Sequence, residues 1–258
     1  MRIQPDRKIK IKGKIIGGSE PLICLPLVAK TKRDLLHEAK ELLRLTPDIL
    51  EWRIDGFDQA EKIDGSLLAL SELRKLAKSI PLILTCRIDR EGGFQKINRD
   101  MRLNLILESI KTGLLDMVDI ELVNDAAFIG SVLDTAKQHD VKVILSYHNY
   151  EKTPDENFIL ERLSYTQNLG ADIAKIAVMP KDIKDVLILL NATFKARTKG
   201  LLKIPLVTIS MGAKGVVTRL MGGLFGSDIT FASGKKASAP GQIPIEDLRK
   251  TLALLYQS

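Results

Sequence analysis

The run ADIAKIAVM, residues 171–179, places one lysine at the centre of an apolar, strand-length segment. A buried, unpaired ammonium costs several kcal/mol or gives up its proton. Lys175 therefore snorkels from an edge strand, pairs with a carboxylate, or takes part in chemistry. A neutral lysine is a nucleophile toward carbonyls, but at an ordinary pKa near 10.4 only about one in 2,500 is neutral at pH 7. Burial beside cations such as Arg53 and Arg87 is expected to raise that share. His148 ends the preceding run, VKVILSYH from 141. A histidine titrates near neutrality and can move protons for carbinolamine and imine steps. A carboxylate such as Asp119 on the next run could fix the imidazole's tautomer. Schiff-base chemistry on a carbonyl acid is the natural inference. A metal site built from His148, Glu121 and Asp119 competes with it, weakened by the single histidine and the nearby lysine.

These residues need elements that hold them together. Short apolar or β-branched runs recur as PLICLPLV from 21, ILEWRI from 49, PLILTCRI from 81 and MVDIELV from 117. The series continues with VKVILSYH from 141, ADIAKIAVM from 171, IPLVTISM from 204 and DITFAS from 228. Their starts lie roughly 24 to 36 residues apart, the length of a strand plus a crossover helix. The segments between them have helical period. After Thr31, with Asp34 in a box-like cap, Leu35, Leu36, Ala39, Leu42 and Leu43 form one apolar stripe, and residues 66–78 and 101–114 behave similarly. Eight β-then-α units predict an α/β chain folded as a closed (β/α)₈ TIM barrel; a doubly wound open sheet fits less well. KIKIKGKII, residues 8–16, is expected to form a hairpin closing the barrel bottom. No linker-like or low-complexity stretch interrupts the chain, so residues 1–258 are read as one catalytic domain.

In such a barrel, function collects where the strands end, on side chains facing the axis. Glu51 and Arg53 share a face of the second strand, because strand side chains alternate. Thr85 and Arg87 end the third strand, and Glu91 follows in DREGG. Asp119 and Glu121 share a face of the fourth, Ser146 and His148 of the fifth. Lys175 lies on the sixth, Ser210 closes the seventh and Ser233 the eighth. Charged groups from five consecutive strands thus converge on one small mouth, and a purely structural account of them becomes strained.

Composition narrows the function classes. The chain carries a net charge of +7, which invites a nucleic-acid reading. Beyond residues 1–14, however, the basic residues are spread among acids, only 5% of residues are aromatic, and no zinc-finger spacing occurs. The excess reads as a solvated surface with a preference for small anions. The basic N-terminus has no apolar stretch long enough for a signal peptide, and no run approaches the ~18 residues of a membrane helix. Cys24 and Cys86 each sit in an apolar run, as buried free thiols would in a reducing cytoplasm.

Six stretches carry a resemblance to a known family: EWRID (51–55), TCRIDREGG (85–93), SYHNYEKTP (146–154), ADIAKIAVMP (171–180), ISMGAKGVVTRLMGGLFGSDITFAS (209–233) and SAPGQI (238–243). In this order they resemble the type I 3-dehydroquinate dehydratases, over residues 21–243. The glycine-rich loop at 212–226 alone would be a weak signal, and it is no Walker A motif. The resemblance implies a (β/α)₈ homodimer in the cytoplasm that dehydrates 3-dehydroquinate to 3-dehydroshikimate, in the shikimate pathway of aromatic amino-acid biosynthesis, without metal or added cofactor. It makes Lys175 the imine-forming amine and His148 the general acid/base for the imine steps, the C2 proton and the departing water. It has Glu91 assist His148 and Asp119 orient it. Glu51, Arg53, Arg87, Arg219, Ser238 and Gln242 match substrate-contacting positions, and Met211 packs near the substrate ring. Arginine suits a carboxylate through its bidentate fork, while Ser238 and Gln242 suit hydroxyls.

Two positions depart from the family pattern. Pro26 stands where some relatives carry a serine at the end of the first strand, and Tyr150 replaces a phenylalanine. SGKKASAPGQ (233–242) has the small residues of a mobile lid, with Lys235 and Lys236 read as solvent-exposed. Two rivals remain. A class I aldolase would use an inward lysine on the same fold but cleave a carbon–carbon bond. A non-catalytic quinate-sensing domain would be expected to lose Lys175 or His148 and to carry a DNA-binding segment.

Overall fold

The computed structural model describes residues 2–234 and 239–256. The lysine–isoleucine alternation at the start forms an antiparallel hairpin, β1 (Ile9–Ile11) with β2 (Lys14–Ile16), in which Ile9 faces Ile16. Its two-residue turn has Lys12 at φ 46° and Gly13 at φ 81°, the left-handed pair that matches strand twist in tight hairpins.

Eight further strands form one parallel sheet: β3 (Leu22–Leu27), β4 (Ile49–Arg53), β5 (Leu82–Thr85), β6 (Met117–Glu121), β7 (Lys142–Asn149), β8 (Ile173–Val178), β9 (Leu206–Ser210) and β10 (Ile229–Phe231). The pairing order is β10-β3-β4-β5-β6-β7-β8-β9, a nearly closed barrel. The crossovers are α1 (Lys32–Arg44), α2 (Ile63–Ala77), α3 (Arg99–Lys111), α4 (Ala126–Gln138), α5 (Glu156–Asn168), α6 (Ile183–Thr198) and α7 (Val216–Met221), with α8 (Ile245–Leu255) after β10. The expected (β/α)₈ barrel is present, and α2 and α3 each begin a turn or less before the expected stripes.

Sequence fixes the helix starts locally. Thr31, Asn98, Asp125, Asp155 and Asp182 each accept a hydrogen bond from a first-turn amide, of α1, α3, α4, α5 and α6 respectively. Each such cap is worth about 1 kcal/mol. Side chains on the outer faces of the strands, with Trp52 fully buried among them, pack against Leu35, Leu70, Leu105 and Phe128 of the helices.

Inside the barrel the layers change character along the axis. The floor is apolar: Leu22, Ile49, Ile83, Met117, Ile144, Ile173, Val207 and Ile229 meet Ile16 of the hairpin, with Ile9 and Ile11 packed against them. The hairpin therefore closes the bottom, as expected.

A repeated device knits the foot of the sheet. Asp48, Asp116, Asp172 and Asp228 stand immediately before β4, β6, β8 and β10. Each donates its own amide to a carbonyl on the preceding strand, of Ile23, Leu82, Val143 and Leu206 in turn, at 2.6–3.1 Å. Each carboxylate then accepts the amide of that same residue, at 2.7–2.9 Å. At the β9–β10 seam, where no strand ladder forms, the Asp228 clamp and a bond from Thr208 N to Ser227 Oγ (3.1 Å) join the two edges.

Candidate functional site

Strand alternation turns one residue in two toward the axis, and register sets their heights. Thr85 lies opposite Asp119, Glu121 opposite Ser146, and Ser146 opposite Lys175. Above the apolar floor, the wall from β4 to β8 is therefore polar. The facing wall is apolar, made of Ile209, Met211 and Phe231. Between them lies a small cavity lined by Glu51, Arg53, Arg87, His148, Tyr150, Lys175, Met211, Arg219, Phe231 and Gln242 among others.

Lys175 is 5% exposed. Its Nζ donates to Asp119 at 2.7 Å, lies 3.8 Å from Glu51, and sits 4.5 Å from the centroid of Phe231. Asp119 is shared: Arg87 reaches the same oxygen, Oδ2, at 3.0 Å, and Ser146 Oγ donates to Oδ1 at 2.6 Å. Burial alone would raise the Asp119 carboxyl, but Arg87 and Lys175 outweigh it and hold it well below the usual carboxylate range. The expectation that cations press on Lys175 meets a different geometry. Arg87 is turned into Asp119 and Glu121, so carboxylates are the nearest charges to the amine.

His148 sits two residues beyond Ser146 on the same face of β7. Its Nδ1 is 3.1 Å from Glu91, whose carboxylate also accepts the His148 amide at 2.9 Å. Asp119 was expected to orient this ring. The ring contact belongs to Glu91, which was expected to assist His148, and Asp119 bonds Lys175, Arg87 and Ser146. The reason is geometric: Asp119 pairs in register with Ile144, four residues before His148 on β7, while His148 stands where the loop after β5 folds back. Burial, with Arg87 and Lys175 nearby, holds the imidazole well below its ordinary value. Burial likewise pushes the Glu91 carboxyl up to about 7, against the pull of Arg87. A neutral base thus contacts a carboxyl that changes charge near neutral pH, an arrangement able to pass a proton in either direction.

The three arginines are held differently. Arg53 forms a bidentate pair with Asp55, and Arg87 bonds Glu121 at 3.0 Å and Ser146 at 2.7 Å besides Asp119. Among the described residues, Arg219 donates to the carbonyls of Phe231 (3.1 Å) and Pro240 (2.9 Å) and pairs with no carboxylate. Burial brings its guanidinium down to about 10, offset only by Tyr150. It is a buried positive charge, facing the cavity, with no counter-ion among the described residues.

Gln242 and Met211 reach the cavity wall, and Ser238, Lys235 and Lys236 lie outside the described residues. Pro26 pairs in register with Glu51 and adds no polar group to the mouth. Two serines placed at the mouth from sequence are elsewhere. Ser210 alternates outward between Ile209 and Met211, where Thr218 takes its amide, and Ser233 bridges to Pro244. Glu121 is buried behind the mouth, held by Arg87 and Arg102. Among the described residues, no group of three or more His, Cys, Asp or Glu side chains is arranged to hold a metal ion. Sequence reasoning passed over Phe231, although alternation from Ile229 puts it inward, because polar residues alone were sought. No helix among the described residues is long and apolar enough to cross a membrane.

Comparison with known proteins converges on one group. The family model described as type I 3-dehydroquinase matches residues 23–258. The chain is 44% identical over 252 residues to 3-dehydroquinate dehydratase of Clostridioides difficile, covering 98% of each chain, and 43% identical to that of Bacillus licheniformis, covering 97% and 98%. Among solved structures, 3-dehydroquinate dehydratase from Geobacillus kaustophilus superposes with a TM-score of 0.95 at 42% identity, over 99% of this chain and 98% of that one. The type I enzyme from Clostridium difficile, with covalently modified comenic acid, gives 0.93 at 44% identity, over 97% and 98%.

Proposed function

Because the chain belongs to the type I 3-dehydroquinase family, we propose that Lys175 is the amine that forms its Schiff base. The chain is a hydro-lyase that dehydrates 3-dehydroquinate to 3-dehydroshikimate in the shikimate pathway. The observation that carries the residue assignment is an inward lysine, level with Ser146 and opening on the cavity, beneath a neutral histidine on the adjoining strand.

The residues then divide the work. Asp119 is held too acidic to keep a proton, so it aims the amine without acting as its base. His148 takes the proton that Lys175 must shed before attacking the ketone carbon. Loss of the carbinolamine oxygen as water gives the iminium, which acidifies the neighbouring C2–H. His148 removes that proton and returns it to the hydroxyl on the next carbon, which leaves as water. Hydrolysis of the conjugated imine consumes one water and frees the amine, so the net change is loss of one water. Glu91, titrating near neutrality against the same ring, steadies each charge state of His148.

Arg219 supplies the unspent positive charge that a substrate carboxylate needs. Glu51, Arg53, Arg87, Ser238 and Gln242 take the hydroxyls, and Met211 and Phe231 cover the ring's apolar side. Borohydride added with 3-dehydroquinate should fix one substrate-derived adduct per chain, on the peptide containing Lys175. An adduct on any other lysine overturns the assignment.

The proposal extends to a homodimer working in a reducing cytoplasm. Two buried free thiols, Cys24 and Cys86, agree with that compartment. On the outer face of α6, Ile183, Leu187 and Phe194 are exposed at helical spacing, an apolar stripe that a second copy would cover. Sedimentation equilibrium should return twice the chain mass; a monomer at micromolar concentration overturns the dimer.

A further inference from the structure

Asp55 does not line the cavity, yet it is fully buried, and its close bonds lead to Arg53 and Arg87 of the mouth and to Phe94 at the end of the loop after β5. Its Oδ1 accepts from Arg53 Nε (3.0 Å) and from the Arg87 amide (3.2 Å). Its Oδ2 accepts from Arg53 Nη2 (2.8 Å) and from the Phe94 amide (3.0 Å). One carboxylate thus joins the end of β4 to both ends of the loop 87–94, the loop that carries Glu91. The loop is tied inward elsewhere as well: Arg53 Nη2 donates to the Gly92 carbonyl at 3.0 Å, and the Arg53 guanidinium lies 4.8 Å over the Phe94 ring. Gly92 turns at φ 85°, and a Cβ at Gly93 would stand 2.4 Å from the Arg87 carbonyl oxygen. The loop is a closed ring with Asp55 at its hub and Glu91 projecting from it onto His148.

We propose that Asp55 is a positioning residue for the dehydration: it fixes where Glu91 meets His148 and where the Arg53 guanidinium faces the substrate. A carboxylate is suited to this place because four donors converge on it and two belong to a cation, so its charge is matched as well as its lone pairs. An asparagine offers a donor where Oδ2 must accept, so one side of the hub fails while the volume is kept. The inference rests on the assignment of Lys175, His148 and Glu91 given above.

The test compares Asp55→Asn with the wild type in kcat, KM, the kcat–pH profile and melting temperature. Glu91 faces Arg87, Glu121, Asp119 and His148, and its burial depends on the loop. Asp55→Asn should lower kcat ten- to a hundredfold, move the inflection near pH 7 downward by about one unit as Glu91 reaches water, and raise KM several-fold through Arg53. A melting temperature that falls while kcat per folded molecule and the pH profile stay as in the wild type overturns the proposal. Gly93→Ala provides an independent route, since it displaces the same loop without touching Asp55. It should move the pH inflection in the same direction, and a folded Gly93→Ala enzyme with an unchanged profile also overturns the proposal. Borohydride trapping on each variant separates the two readings. Trapping at Lys175 with altered kcat supports both, whereas failure to trap in the wild type removes the Lys175 assignment on which this inference stands.

Discussion

The foot and the mouth of the barrel both set carboxylates beside cations, half-buried at three of the four foot positions and buried at the mouth, and they do so in opposite styles. At the foot, Asp48, Asp116, Asp172 and Asp228 occupy equivalent places and make the same two-point clamp on the strand before. At the mouth, Glu51, Glu91, Asp119 and Glu121 occupy different heights, and no two have the same partners. Sameness repeated around the axis serves the sheet, because every strand pair has the same need. Difference around the axis serves a substrate, which has only one orientation.

The nearest match between the two regions is Asp228 with Asp119. Asp228 lies between Arg2 and Arg197, and Arg197 spends its remaining donors on the carbonyls of Gly226, Leu202 and Ile204. Asp119 lies between Arg87 and Lys175, both of which face a cavity. Two buried triads of like charge thus differ in whether their cations open on a space that a substrate could enter.

The largest expected contrast comes from deleting one member of each triad. Lys175→Ala should lose essentially all turnover while the chain still folds, because Asp119 keeps Arg87 and Ser146. Asp228→Ala strands two buried guanidiniums and should cost about 3–5 kcal/mol of stability with kcat per folded molecule unchanged. Denaturant titration and single-turnover rates on both proteins check this. A Lys175→Ala protein as unstable as Asp228→Ala would erase the distinction.

A middle-sized effect sharpens it at Glu91. Its carboxyl is raised from an ordinary 4.5 to about 7 in the fold. The folded chain therefore holds a proton that the unfolded chain has lost, and this contribution is complete below pH 4.5 and vanishes as pH rises through 7. Glu91→Gln lacks that decline. Its stability relative to the wild type should grow by about 2–3 kcal/mol between pH 4.5 and 8, read from unfolding midpoints across pH. A difference that stays flat would place Glu91 among the foot-like, purely structural carboxylates.

The smallest effect concerns Arg219, a mouth cation with no counter-ion among the described residues. Arg219→Ala should weaken substrate binding by about 1.5–3 kcal/mol, seen as a raised KM with kcat less affected. An unchanged KM would remove Arg219 from the carboxylate site.

Much of the mouth was legible because two rules sufficed: alternation along a strand, and the gathering of chemistry at strand ends. Those rules select Glu51, Arg53, Arg87, His148 and Lys175 without any knowledge of pairing. They say nothing of loops, so on their own they offered only a strand carboxylate, Asp119, for the His148 ring; Glu91, which the family resemblance had assist His148, meets the ring from a loop folded around Asp55. The same two rules, applied only to polar residues, assigned Ser210 to a wall that belongs to Ile209 and Met211. The four foot aspartates were present in the sequence as a recurring Asp before alternate strands, but their meaning needs the register of the neighbouring strand, which no single segment contains.

The seam at Asp228 also bears on how the chain is made. Arg2 and Asp228 are 226 residues apart, and Asp228, with Ser227, joins β9 to β10 where no ladder does. A ribosome adds roughly 5–20 residues per second, so Arg2 waits on the order of ten seconds or more for its carboxylate to emerge. Until then the sheet is an open ribbon with β3 as a bare edge, the condition in which parallel strands most readily find a wrong neighbour. For this barrel, the vulnerable interval of synthesis ends only when its last strand arrives.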